Sequence, residues 1–145
     1  MNDMSDRARI SITNHGRFRF VERRNKSYKH SWHCRTKGCS QCEKNKRVIE
    51  REILDNKLVI DEELKKLLRN ADEVKWYIND SRIMDKLYER YGHDTHFHFL
   101  VHGDFLFVVI VKSNRRVLVT TMFAQFHSIG RIVNRPKFKK CIQGE

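Results

Sequence analysis

The run Phe105-Leu106-Phe107-Val108-Val109-Ile110-Val111 is the feature that most restricts what this chain can fold into. Seven consecutive apolar residues, β-branched or aromatic for the most part, describe a strand buried on both faces. Residues 96–102 and 117–123 on either side have the same character. The pairs Gly103-Asp104 and Ser113-Asn114 separate the three runs, and both are hairpin-turn signals. The C-terminal part therefore reads as an antiparallel meander with residues 105–111 at its centre.

Upstream, the periodicity is helical. Residues 14–24 follow Thr13, a capping residue type. Residues 47–70 carry one apolar set at Ile49, Ile53 and Leu54 and another at Leu64, Leu67 and Leu68. Asn56-Lys57 is expected to break this stretch, with Asp61 as a cap between the pieces. Val74, Trp76 and Ile78 alternate over too short a span to choose between strand and helix. Residues 81–91 read as a helix capped by Asp80 or Ser81, with Ile83, Leu87 and Tyr91 facing inward and Gly92 as the stop. Residues 126–140 form a basic closing segment in which Pro136 opposes a long regular element. No repeat or low-complexity stretch interrupts this order. The expectation is a single domain over residues 1–145 of class α+β, with N-terminal helices packed on one face of a C-terminal antiparallel β-meander. Residues 25–46 stand apart as a small basic insert that contains cysteine and histidine.

Charge narrows the partners. The net charge is +12. Residues 1–50 hold 13 Lys and Arg against 5 Asp and Glu, residues 51–100 hold 9 against 11, and residues 101–145 hold 8 against 2. If the two basic ends meet in the fold they make one positive surface, the footprint of a nucleic-acid partner. No basic amphipathic segment with a strongly apolar face points to a membrane surface, and no apolar run approaches the roughly 18 residues of a span. The N-terminal residues lack a secretory core, so a cytoplasmic setting with reduced thiols is expected.

The first helix carries the candidate chemistry. His15, Arg19, Glu22 and Arg23 are spaced 0, 4, 7 and 8 positions apart, which places them along one helical stripe. Such a stripe is either an ordinary wet surface or a site for a phosphate substrate. This pattern resembles I-T-x-H-A-x-x-R-x-x-E-R, a motif of small bacterial and phage-encoded domains similar to the barnase, EndoU, colicin and RelE-like group of metal-independent ribonuclease folds. In those domains the motif opens a helix, and a hairpin-rich sheet ends in a strand rich in valine and threonine. Here that strand is residues 117–123. The resemblance covers residues 10–24 and roughly 96–123, and residues 25–80 have no counterpart. Gly16 stands where the pattern has alanine, a change that weakens a helix start by up to about 1 kcal/mol.

Metal-independent RNA cleavage needs a base for the 2′-hydroxyl, an acid for the leaving 5′-oxygen, and cations for the charge-rich transition state. His15 suits a proton role, and Arg19 and Arg23 suit phosphate clamping. Glu22 either orients Arg19, serves as the base, or merely pairs with Arg19 or Lys26. In a strand, His96, His98 and His102 share a face with Leu100, opposite Phe97, Phe99 and Val101. With the aromatic face as the core side, His98 becomes the candidate acid partner of His15; exposed surface and metal binding, with Asp94 near, are the alternatives. Thr121 and Lys112 are weaker candidates, chosen for their position on the sheet.

Cys34, Cys39 and Cys42 follow His30 and His33, and Gly38-Cys39-Ser40-Gln41-Cys42 fits a zinc knuckle. His30 with the three cysteines would make a closed structural zinc site, with Cys141 as an alternative fourth ligand; free thiols or a redox pair are the other readings. Tyr28, His30 and Trp32 alternate with Lys26, Lys29, Arg35 and Lys37, a pattern that either stacks and grips single-stranded nucleic acid or anchors the insert by packing.

These readings assign catalysis to His15, Arg19, Glu22 and His98. They assign nucleic-acid contact to Arg17, Arg23, Arg24, Lys26, Lys29, Trp32, Arg35, Lys112, Arg131 and Lys137. The expected protein is a metal-independent ribonuclease of toxin or phage-effector type, acting on RNA rather than DNA. The alternatives are a non-catalytic nucleic-acid binder and an inhibitor that uses the same basic surface on a host protein.

Overall fold

The computed structural model describes residues 9–74, 81–112 and 114–124. The expected Trp76–Ile78 alternation, the Asp80 cap, the 126–140 segment, Cys141, Arg131 and Lys137 lie outside them. In chain order the elements are β1 (Ser11–Ile12), α1 (Asn14–Arg24), a 3-10 turn (Lys26–Tyr28), α2 (Lys29–His33), α3 (Ser40–Arg69), β2 (Asp72–Val74), α4 (Ser81–Tyr91), β3 (Phe97–His102), β4 (Phe105–Lys112) and β5 (Arg115–Phe123). The class is α+β with a five-stranded mixed sheet, ordered β1-β5-β4-β3-β2.

The expected meander is the heart of this sheet. β3 pairs with β4 and β4 with β5, all antiparallel, and Phe107 and Val108 are fully buried in the central strand. Asn114 takes the left-handed φ of +64° that the second hairpin requires. Two short strands complete the sheet: β1 runs parallel to β5, and β2 runs antiparallel to β3.

Both faces of the sheet are covered. Phe20 and Val21 of α1 and Ile49, Ile60, Leu64 and Leu68 of α3 pack on Leu100, Phe107, Val109 and Leu118. Met84 and Leu87 of α4 pack on Phe99, Val101, Leu106, Val108, Ile110 and Val119 on the other side. The expectation of helices on one face thus holds for α1 and α3, whereas α4 covers the second. Its stop is Gly92, whose φ of +100° excludes most side chains. A bulge between Val108 and Val109 shifts the β4–β5 register, so that Val108 faces Thr120 and Val109 faces Leu118. Leu118 and Thr121, three apart, consequently both address α1, which strict alternation forbids.

α3 begins at Ser40, seven residues before the expected start, and Glu43 in its first turn favours the helix dipole. Its backbone turns non-helical at Asn56 (φ −129°, ψ 29°), where the sequence called for a break. Asp61 is not a cap; it sits inside α3 and binds Arg17. Leu54, expected on the apolar face with Ile49 and Ile53, is 76% exposed.

Candidate active-site cleft and metal cluster

Thr13 fixes α1 in place. Its side chain accepts from the Gly16 amide at 3.0 Å, while its own amide and hydroxyl both donate to the Leu118 carbonyl of β5, at 3.1 and 2.8 Å. The helix start lies so close to β5 that a Cβ on Gly16 would sit 3.0 Å from that carbonyl oxygen. The glycine in place of the motif's alanine is therefore a consequence of packing as well as a cost in helix propensity. The buried Thr121 hydroxyl donates to the Gly16 carbonyl at 3.2 Å, and Arg23 donates to the Thr121 carbonyl at 2.7 Å.

This anchoring sets His15, Phe18, Arg19 and Glu22 against α3 and leaves two cavities between the helices. The first, of about 410 Å³, is lined by those four residues, by Glu43, Lys46 and Glu50 of α3, and by Cys34 and Cys42. The second, of about 590 Å³, is lined by Asn14, His15 and Phe18 on one side and Glu50, Ile53, Leu54 and Lys57 on the other. His15 is half-buried between them, and its pKa is lowered to about 4, first by burial and then by the charges of Arg19, Arg90 and Arg23. At neutral pH it is an uncharged imidazole, a proton acceptor. Arg19 donates to Glu22 at 2.8 Å, so Glu22 orients the guanidinium, one of the roles its spacing suggested.

The other candidate residues divide sharply. His98 lies near Glu73 of β2, its Nδ1 3.2 Å from the carboxylate, and lines neither cavity with His15. Arg17 is buried and does not reach a ligand surface. It donates to Asp61 (2.6 and 3.0 Å), to Asn14 Oδ1 (2.8 Å) and to the Ile12 carbonyl (3.3 Å). Arg24 is held by Glu52 and Glu63 of α3. Trp32 donates to the Glu22 carbonyl at 2.7 Å and packs edge-on against Phe123, so it anchors α2 and is not a free stacking platform. Tyr28 is likewise buried, its hydroxyl 3.3 Å from Glu52. Lys112 faces Arg115 across the β4–β5 hairpin, outside both cavities.

What stays exposed is the set of cations on the insert and the first turns of α3. Lys26, Lys29, Arg35, Lys37, Lys44, Lys46 and Arg47 are all exposed, with Glu43 the one acid among residues 25–49, and none forms an ion pair among the described residues. Glu43, Lys46 and Glu50 were not singled out from the sequence. Their 0, 3 and 7 spacing would have placed them on one stripe had the helix been started at Ser40.

At the same end of the molecule, His30, Cys34, Cys39 and Cys42 bring their ligand atoms within 4.8 Å of one another. The edge of a tetrahedral zinc–thiolate site is about 3.8 Å, so a small contraction suffices. α2 supplies His30, the loop after it supplies Cys34, and the knuckle with Gly38 at φ +70° delivers Cys39 and Cys42 to the α3 start. The Thr36 backbone lowers the Cys34 pKa, and the Cys42 backbone lowers that of Cys39. Burial, followed by hydrogen bonds with Cys34 and Cys39, pushes Cys42 up to about 11. Three crowded sulfurs share protons in this way, and a thiolate-binding cation would compete with those protons. The cluster is compatible with a structural metal.

Among the described residues no helix is long and apolar enough to cross a membrane. Comparison with protein-family models, with curated proteins and with solved structures gives no match, so the reading of function rests on this cleft and its surroundings.

Proposed function

We propose that this chain is an RNA-directed ribonuclease that works without a catalytic metal, in keeping with the toxin or effector domains its first helix resembles. The observation that carries the reading is His15: a half-buried, uncharged imidazole beside Arg19 in a cleft large enough for a nucleotide unit. In this reading His15 takes the 2′-hydroxyl proton. The 2′-oxygen attacks phosphorus, the bond to the 5′-oxygen breaks, and water protonates the departing oxygen. Arg19, aimed by Glu22, and Lys46 offset the charge that builds on the phosphoryl oxygens, against the opposing carboxylates of Glu43 and Glu50 that line the same cavity. The exposed cations of residues 25–47 grip flanking backbone without reading sequence. His98 is not part of this site.

The metal in this scheme is zinc, closed and structural, held by His30, Cys34, Cys39 and Cys42. It orders an insert whose exposed, polar composition gives it little core of its own. Stripping it with a strong thiol-competitive chelator, or the change Cys39→Ser, is expected to release one zinc per chain by elemental analysis. It should also red-shift the emission of Trp32, which lies between His30 and Cys34, when read in a Trp76→Phe background.

The test of the function is end-labelled single-stranded RNA in EDTA, with retained zinc verified, comparing wild type and Arg19→Ala. Cleavage to 2′,3′-cyclic phosphate ends by wild type, reduced at least tenfold in the variant, supports the reading. Intact RNA in a salt-sensitive complex identifies a binder without chemistry. The pH profile adds a second check. The lowered His15 pKa means the imidazole keeps its basic form as pH falls, so the acid limb of kcat/KM lies between pH 4 and 5. At pH 5 about 90% of such a group is unprotonated, against about 3% for an ordinary histidine. Arg19→Gln moves the limb upward, though not to 6.5, because burial is the larger cause.

A further inference from the structure

The second cavity has a different chemistry from the first. Ile53, which packs against the main core, and Phe18 give it an apolar wall; Leu54, 76% exposed, stands on α3 as its neighbour, and Lys57 follows the kink at Asn56. Three residues, His15, Phe18 and Glu50, line both cavities and so form the partition. In a ribonucleotide the base is attached at C1′, on one side of the carbon that bears the 2′-hydroxyl, and the scissile phosphate is carried on the 3′-oxygen, on the other side of it. A group that takes the 2′-hydroxyl proton must therefore stand between a polar seat for the phosphate and an apolar seat for the base. His15 stands in that place.

We infer that the cavity bounded by Asn14, Phe18, Ile53, Leu54 and Lys57 is a nucleobase subsite, and this rests on the ribonuclease reading above. A base is flat, apolar on its faces and polar at its edge, and the lining matches it. Phe18, Ile53 and Leu54 offer apolar contact to the faces. Asn14 accepts from Arg17 through Oδ1 at 2.8 Å, which fixes its amide and leaves the NH₂ to donate to a base oxygen or ring nitrogen. Glu50 offers an acceptor to exocyclic N–H groups, and Lys57 a cation for the next phosphate. The side chain of Arg17 is buried, so its role at this subsite is that of a positioning residue acting through Asn14.

The test uses 2′-deoxy trinucleotides, which lack the nucleophile and stay intact, with the central base present or removed. Affinities are read by calorimetry, and the seat by methyl NMR of Ile53 and Leu54. The expected result is at least tenfold weaker binding of the abasic trimer to wild type. In Leu54→Ser, an exposed change that leaves the core intact, the difference shrinks to within about twofold, while Arg19→Ala weakens both trimers alike. Equal affinity of the two trimers, still dependent on Arg19, overturns the base subsite while leaving the phosphate reading standing. If neither trimer nor inorganic phosphate perturbs the cleft, the ribonuclease reading falls and the subsite with it. Concentration-dependent dimerisation that Leu54→Ser abolishes, with no nucleotide response, overturns the inference in favour of an interface between two copies, because Leu58, 80% exposed, extends the same helix.

Discussion

Asp61→Ala is expected to lower the unfolding free energy by about 3–5 kcal/mol, the usual cost of leaving one partner of a buried ion pair uncompensated. The Arg17 side chain is only 5% exposed, and its guanidinium spends its donors on Asp61, Asn14 and the Ile12 carbonyl. Asp61 is 20% exposed, so solvent reaches the guanidinium only from the side the carboxylate vacates. The pair ties the start of α1 to the middle of α3, so its loss also loosens the cleft between them. Against a typical domain stability of about 5–15 kcal/mol the change is large, with a drop in Tm on the order of 10 °C. Denaturant melts of the single variant and of Arg17→Met with Asp61→Leu separate two explanations. If the burial of an unpaired charge is the cause, the double variant recovers most of the loss; if the ion pair itself supplies the stability, it does not.

His15→Gln is expected to reduce RNA cleavage by about 10²-fold, the lower end of the range for a positioned general base because the lowered pKa weakens this one, with little change in Tm. Glutamine keeps hydrogen-bonding capacity and approximate size at a half-buried position but cannot accept a proton near neutral pH. RNA affinity should remain within a few-fold of wild type, since the cations of residues 25–47 are untouched. A cleavage rate unchanged in His15→Gln would remove the imidazole from the mechanism. It would move attention to the carboxylates of Glu43 and Glu50, which the fold places in the same cleft.

The cleft shows how far local reasoning carries. Thr13 as cap, the His15–Arg19–Glu22 stripe and the cysteine knuckle are all short-range patterns, and each was legible because its partners lie within about eight residues. Arg23, expected on the same stripe as a phosphate clamp, lines neither cavity and donates instead to the Thr121 carbonyl. The proposed pairing of His15 with His98 was a statement about two elements more than eighty residues apart, and β3 instead sets His98 beside Glu73. Charge misled in a similar way. Arg17 and Arg24 look in sequence like Lys26 or Arg35, yet the first two are consumed by carboxylates of α3 while the others face solvent. A cation count does not tell which cations are already neutralised.

By itself the sequence determined the elements whose signals are periodic or turn-specific. These are the three-stranded meander with its hairpins at Gly103 and Asn114, α1, α4 with its stop at Gly92, the break at Asn56, and the His30, Cys34, Cys39 and Cys42 group that the fold gathers within 4.8 Å. Helix periodicity, turn chemistry and ligand spacing act over a few residues, so the chain states them directly. Tertiary structure alone decided the rest. It paired the two- and three-residue strands β1 and β2, each too short to carry a pattern, and inserted the bulge that turns Leu118 and Thr121 toward α1. It also packed α4 on the far face of the sheet and seated His15 on the partition between two cavities. Those outcomes rest on contacts such as Arg17 with Asp61, 44 residues apart, and Thr121 with Gly16, 105 apart. Such contacts form by shape and charge complementarity once the layers meet, and no period in the chain encodes them.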